Sequence, residues 1–491
     1  VRTLGKHSVI QFSAVWFALA RIIGLASWGL LLPLLLVFVF GEDDWFAYAG
    51  PLAFGFTLGL LGRRRQALIT ERLGRREAMF TVVLAWLGVS ALGAAPYILS
   101  GAISSPLNAF FESISGFTAT GSTILADIEK LPKSLLFWRA ETHWLGGMGI
   151  IALAIAIFPA FAGKQLLYAS EAPVDPTEQR LVPRIAETAR HFWRLYVILT
   201  LAEILLLWPK IGWYEAVTHA FASIAGGGFS TRNASIAAFN SLYVEVVIML
   251  FMIAGATSFI LHYHAFHGNF RPYTKNSAFK SYIILMAVTS LLVSFNLALN
   301  GKGNGWLSDL REAVFQVVSI VTTTGFATAD FKTWPAFSKL LLLILMFVGG
   351  MSASTSGSVK ISRYVILFKD SQGALKRLIH PRAFNEVRLD GKTVDPTVIQ
   401  KAFLFVLLYF LTAVLAGSLL VALNLDPATA FSAVAATLGN VGPGIGSVGP
   451  YDNFLWLSPA AKVILSFCML LGRLEIWTVL ILFLPEYWFR R

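Results

Sequence analysis

The sequence predicts an all-α membrane protein of about ten transmembrane helices. Four span, re-entrant helix, span repeats surround a pseudo-fourfold pore, and two extra helices precede them. Three observations predict it. Of 491 residues, 56% are hydrophobic and only 13% charged, with a mean hydropathy of +0.68, whereas about a quarter of a soluble chain is charged. No soluble fold covers that much apolar sequence, so the bilayer serves as solvent for much of the surface. The second observation is that basic residues fall on alternate connections. The third is that four apolar segments too short to span recur at matched places, each followed by glycine.

Runs long enough to span lie at Val9–Phe40, Trp45–Leu61, Ala78–Ile98, Leu135–Phe158, His191–Trp208, Leu242–Tyr263, Ser281–Leu299, Lys339–Phe368, Ala402–Leu423 and Ala461–Phe483. Arg2 and Lys6 precede the first, as in a signal peptide. That run is too long and ends in no small-residue cleavage site, so it reads as a retained span. The basic segments Arg63–Arg76, Arg180–Arg194, Arg271–Lys280 and Lys369–Lys401 lie on one side with both tails. That side holds 27 of the 39 Lys and Arg, which assigns both termini to the cytoplasm. The net charge of +12 is therefore mostly a topology signal and calls for no nucleic-acid partner. The single Cys468 cannot form an intrachain disulfide. The expected units are residues 1–76 (two helices and a basic loop), then pore repeats at 77–165, 166–275, 276–395 and 396–491.

The short segments are Pro106–Phe117, Trp213–Ala225, Leu307–Val321 and Asp426–Thr437. As helix each measures roughly 18 Å against ~30 Å of hydrocarbon, so each must dip in and return. Ser105-Pro106 and Asp426-Pro427 supply an N-cap followed by Pro at the first helical position. Non-helical backbone at membrane depth is tolerated only inside protein or along a wet cavity, so the returns point to a pore.

After each short helix comes a glycine-centred stretch: Thr118-Ala119-Thr120-Gly121, Gly226-Gly227-Gly228, Thr322-Thr323-Thr324-Gly325 and Asn440-Val441-Gly442. Their last glycines are 107, 97 and 117 residues apart. Phe111, Ser115, Thr118, Thr120 and Gly121 also match Phe315, Ser319, Thr322, Thr324 and Gly325 in one register. A ring of backbone carbonyls offsets the cost of dehydrating a monovalent cation by replacing its water shell. Glycine permits the left-handed backbone that such a turn needs. Each short helix would aim its partly negative C-terminus at the axis, which favours cations. An anion pore would want basic residues there, and only Arg232, beyond the second stretch, is basic.

These motifs resemble those of the Trk/Ktr/HKT superfamily of potassium transporters, and the two extra N-terminal spans resemble its Trk-type membrane subunits. The resemblance covers nearly the whole chain. It rests on Ser115-Gly-Phe-Thr-Ala-Thr-Gly121, Gly226-Gly-Gly-Phe-Ser-Thr231, Thr322-Thr-Thr-Gly-Phe326 and Ala436-Thr-Leu-Gly-Asn-Val-Gly-Pro-Gly444. It implies that carbonyls around Ala119, Thr120, Gly226, Gly227, Thr323, Thr324, Asn440 and Val441, with Gly121, Gly228, Gly325 and Gly442, coordinate K+. Ala119 interrupts the threonine run, and the second stretch carries glycines where the others have Thr or Asn.

Gly349-Gly350-Met-Ser352-Ala-Ser354-Thr355-Ser356-Gly357-Ser358 breaks the eighth run with small, helix-poor residues, and Lys360 follows. A kink or close helix contact is one reading. The resemblance implies a gate loop below the filter. Arg473 lies in the last apolar run, where an Arg is costly enough to be a functional candidate. Snorkelling or pairing with Glu475 are its structural readings, although two residues is about 200° around a helix. The resemblance implies an electrostatic barrier in the permeation path.

No Walker or Rossmann glycine pattern is present, so the chain itself is expected to bind no nucleotide. The resemblance implies a cytosolic TrkA-like ring subunit as nucleotide-binding partner, a homodimer among membrane lipid, and a bacterial cytoplasmic (inner) membrane location. The leading function is K+ uptake. The alternative is K+ symport coupled to H+ or Na+ through Glu203, Glu245 or Glu475. An intramembrane enzyme using His143, His219, His262, His264 or His267 is the least supported, because His262 and His264 are misaligned for a metal pair on a helix.

Overall fold

The computed structural model describes residues 10–63, 74–149, 185–301, 305–380 and 386–488. Among them six helices are long and apolar enough to cross a membrane, and two bent pairs bring the number to eight. The other two expected spans are Leu135–Phe158, which lies outside the described residues from position 150 on, and Lys339–Phe368, which a loop divides. The basic segments Arg63–Arg76 and Arg180–Arg194 lie partly outside as well.

The N-terminal pair is Phe12–Phe40, with a 3-10 turn at Ser27–Leu30, and Trp45–Arg63. It packs through small residues. A Cβ on Gly24 would sit 2.4 Å from the Gly59 Cα, and one on Gly55 would sit 2.4 Å from the Ser27 Cβ. The two backbones thus touch where lipid supplies no hydrophobic drive and close van der Waals packing must act instead.

Four units follow. Their first spans are Arg75–Leu99, Ile185–Ile211, Ser277–Leu299 and Pro396–Ala422, and their short helices are Pro106–Phe117, Trp213–Ala225, Trp306–Val321 and Pro427–Leu438. The second spans begin at Lys133, Leu242, Ala336 and Pro459. Three of them break where they can be followed. Leu242–Gly255 bends by 103° into Phe259–Phe266, and Pro459–Arg473 bends by 116° into Trp477–Phe483. Ala336–Leu345 ends in a loop closed by a parallel two-residue ladder, Val348–Gly349 against Val359–Lys360, before Ile361–Ile379 resumes.

The expected short helices differ from the observed ones by at most one residue at either end. Asp426 caps the fourth, accepting the Thr429 N–H at 3.1 Å. Ser105 does not cap the first with its side chain. There Pro106 removes one donor, and the Ser105 carbonyl accepts the Ala109 N–H at 2.9 Å.

Each unit is clasped to the next near the end where the second spans begin. Tyr214 donates to the Lys133 carbonyl (2.6 Å), joining the first unit to the second. Arg311 holds Glu245 with two bonds of 2.7 Å, joining the second to the third. Lys332 reaches Asp452 at 2.9 Å, joining the third to the fourth. Lys462 donates to Asn108 at 2.8 Å, so the fourth closes on the first. One buried apolar cluster joins the N-terminal helices to units one and four, and another joins units two and three.

Candidate functional site

All four short helices end in the same turn. The N–H groups of Ala119, Gly226, Thr323 and Asn440 donate to carbonyls three residues back, at 2.9–3.2 Å. Those of Thr120, Gly227, Thr324 and Val441 donate five residues back, at 2.8–2.9 Å. These bonds satisfy the carbonyls that a helix C-terminus leaves unpaired. Ala119 (φ 51°), Gly226 (69°), Thr323 (59°) and Asn440 (52°) are left-handed, and so are Gly121 (85°), Gly228 (74°), Gly325 (83°) and Gly442 (101°). The residue between each such pair has no positive φ. Alternating hands place successive N–H groups on one side of the strand, toward the helix, and successive carbonyls on the other.

The four strands meet in a closed ring. A Cβ on Gly121 would lie 2.1 Å from the Gly227 carbonyl oxygen, and one on Gly228 2.0 Å from that of Thr324. One on Gly325 would lie 2.0 Å from that of Val441, and one on Gly442 2.6 Å from that of Thr120. Each glycine therefore abuts the carbonyl of the next repeat in the order one, two, three, four, one. Ala119, Thr120, Gly226, Gly227, Thr323, Thr324, Asn440 and Val441 are all buried. Among the described residues, none of their eight carbonyls accepts a hydrogen bond. A buried carbonyl requires a partner, and a ring of eight without protein donors is suited to water or a cation.

Behind the strands, the residue nine before the last glycine of the turn acts as a strut in three of the four repeats. Glu112 accepts from the Thr123 hydroxyl (2.9 Å) and the Ile124 N–H (2.9 Å). His219 Nε2 bonds the Ser230 hydroxyl at 2.9 Å, and Gln316 bonds Thr328. Ala433 cannot, and its neighbour Ser432 takes over by accepting the Ile445 N–H at 3.0 Å. Glu112 is also paired with Arg139 at 2.9 Å, both fully buried, and Arg139 donates to the Ser230 carbonyl in the second repeat. The bond from Arg139 into the second repeat is not encoded in local spacing. The available signal was the charge of Glu112, Arg139 and Glu141 inside apolar segments.

The loop of the divided span packs beneath the ring. The Gly357 N–H donates to the Thr323 hydroxyl at 2.7 Å, and a Cβ on Gly357 would sit 2.5 Å from the Gly439 carbonyl. The Thr355 hydroxyl lies 2.9 Å from both the Ile224 and the Gly255 carbonyls, and its N–H donates to Gly255 at 3.1 Å. The loop thus touches repeats two, three and four. Ser352 bonds Ser362, Ser354 bonds Ser356, and the Ser358 hydroxyl donates to the Met346 carbonyl. Lys360 donates to the Ser356 carbonyl, and Gly350 and Met351 lie against Ala256.

Arg473 donates to the Thr355 carbonyl at 2.9 Å and to those of Gly146 and Gly147, at the end of the first repeat's second span. It does not pair with Glu475. Glu475 bonds Arg363 of the third repeat, and it forms the break in the last span with Ile476, at φ 53° and 56°. Left-handed isoleucine is strained, so the break persists because its surroundings hold it. Of the other candidates, Glu245 is held by Arg311. His262 bonds the Ala254 carbonyl and the Tyr273 hydroxyl. Glu203 is buried and accepts from the Ser223 hydroxyl at the end of the second short helix.

Apolar helices, broken second spans and four re-entrant turns in a ring define a multi-pass membrane protein of four pore-type repeats. The chain belongs to the TrkH family, whose profile, described as cation transport protein, matches residues 52–488. It is 36% identical over 483 residues to the Trk system potassium uptake protein TrkH of Salmonella typhimurium, covering 96% of this chain and 99% of that one. It is 39% identical over 427 residues to TrkH of Vibrio parahaemolyticus, covering 85% and 87%. The crystal structure of the potassium transporter TrkH from Vibrio parahaemolyticus superposes with a TM-score of 0.86 at 34% identity, covering 97% of this chain and 100% of that one.

Proposed function

We propose that this chain takes up K+ across the bacterial cytoplasmic membrane through the ring of backbone carbonyls at Ala119–Gly121, Gly226–Gly228, Thr323–Gly325 and Asn440–Gly442. The observation that carries the reading is the set of eight buried carbonyls without donors among the described residues, each glycine abutting the next repeat's oxygen. Oxygens so held replace a cation's water shell. The membrane potential, worth ~2.3 kcal/mol per charge per 100 mV, drives entry into a negative interior. The loop Gly349–Ser358 with Lys360 and Arg473 is the gate. Arg473 sets a positive charge below the ring and is held by carbonyls on two sides.

Regulation is assigned to a cytosolic nucleotide-binding partner of the TrkA type, on a homodimeric assembly with both termini cytoplasmic. The placement of Lys and Arg supports this orientation. The helix Ile361–Ile379, with Lys376 and Arg377 in its last turn, and the hairpin Arg388–Thr393 offer a basic surface.

Rb+ uptake into liposomes holding the purified chain, with and without competing Na+, tests the function. Uptake no faster than in empty vesicles overturns it. Coupled symport is favoured by one feature, the buried Glu203 beside the second short helix. A reversal potential that follows K+ alone, with no shift on changing pH or Na+, excludes tight coupling.

A further inference from the structure

We propose that the His143 imidazole, carried by the second span of repeat one, forms the missing side-chain wall of the filter strand of repeat two at Gly227. The assignment rests on reading the ring as the ion path. The position before the last filter glycine is Thr120, Thr324 and Val441 in three repeats, and Gly227 in the second.

Gly226 and Gly228 on either side are left-handed, but Gly227 is not, so backbone geometry makes no demand for glycine there. Space does. A Cβ on Gly227 would lie 2.3 Å from His143 Nδ1 and 2.4 Å from its Cγ, far inside contact distance. The ring is firmly held. It stacks on Phe229 with centroids 4.1 Å apart and planes at 16°, and Nδ1 accepts the Phe229 N–H at 3.4 Å. Phe229 follows Gly228 directly, so His143 touches the strand on both sides of its last glycine.

In repeats one and three the strand supplies its own threonine side chain, which in repeat one also accepts from the Asn440 amide of repeat four at 2.9 Å. The Thr120 hydroxyl bonds that of Thr118 at 2.7 Å, and Thr324 bonds Thr322 at 2.9 Å. In repeat two the support comes from a neighbouring repeat. His143 is thus a positioning residue: it acts on the ion through Gly226 and Gly227, whose carbonyls it keeps in the ring.

The test compares Rb+ uptake and its inhibition by Na+ for the wild type, G227A, H143A and the double variant G227A/H143A in liposomes. H143S enters the series beside H143A, so that aggregation of one, read by gel filtration in detergent, leaves the other to decide. Overpacking at Gly227 is expected to lower uptake about tenfold or more in G227A, and the double variant regains several-fold of that loss. H143A lets Na+ compete several-fold better, a change in ion preference that general destabilisation does not produce.

Wild-type behaviour of G227A, or a double variant no better than G227A, overturns the assignment. So does unchanged Na+ competition in H143A. Absence of Rb+ uptake by the wild type overturns the proposed function and this inference together, whereas normal wild-type uptake with failed rescue overturns the inference alone.

Discussion

At Gly325 a single methyl group meets two obstacles at once. The residue has φ 83°, and its Cβ would fall 2.0 Å from the Val441 oxygen. The left-handed backbone alone costs an L side chain roughly 1–2 kcal/mol, and the overlap adds to that. Gly325→Ala is therefore expected to cut Rb+ uptake at least about tenfold, with the protein still eluting as a single species. Wild-type uptake by this variant would remove Gly325 from the path. Glu112 and Arg139 make a second residue-level case. Removing one partner of a buried pair leaves an uncompensated charge, at about 3–5 kcal/mol. Glu112→Leu should accordingly lower the melting temperature in detergent more than Glu112→Leu combined with Arg139→Leu, which a thermal-shift series reads directly. The glycines were legible in the sequence because a left-handed turn selects its own residue type. The struts were harder to read: Glu112, His219 and Gln316 stand nine residues before their glycines, but they are three different polar residue types, and Ser432 breaks the offset.

Among the elements, the loop Gly349–Ser358 joins most of the site. It bonds the second and third repeats, abuts the fourth, and reaches the first through Arg473. A charge-assisted hydrogen bond contributes about 1.5–3 kcal/mol, so losing Arg473 frees the loop and, on the gate proposed above, removes a positive charge from the ion path. Arg473→Ala is expected to raise basal K+ flux several-fold. Unchanged conductance and open probability in planar bilayers would take Arg473 out of the gate. The short helices were readable nearly to the residue because proline, glycine and acidic caps punctuate them locally. The loop's composition announced a break in the span, but its partners are set by chain segments 34 to 131 residues away, which no local pattern encodes. The pairing of Arg363 with Glu475, and the strained turn at Ile476, were hidden for the same reason.

At the scale of the whole molecule, the ring closes only if all four units stay clasped. Arg311 is part-exposed while its partner Glu245 is buried, so the second-to-third clasp is the one in which a buried carboxylate depends on a surface cation. Arg311→Leu should lower the melting temperature and broaden ion preference, measured as Rb+ uptake against Na+. A change in melting temperature without any change in preference would show the clasp to be purely structural. The order of the apolar runs was legible from hydropathy, and eight of the ten are met as spans or bent pairs among the described residues. What hydropathy could not give was the cyclic adjacency of the repeats, which depends on contacts between segments far apart in the chain.

Because one polypeptide supplies all four quadrants of the ring, each quadrant is free to differ from the others. In an assembly of four identical subunits, a substitution at one filter position would be imposed four times. Here a change at Thr120, Gly227, Thr324 or Val441 alters a single edge of the aperture. A histidine borrowed from next door, or a serine standing in for its neighbour, can thus be adopted in one quadrant alone. On the ion path proposed above, ion preference is open to adjustment in steps of one quarter.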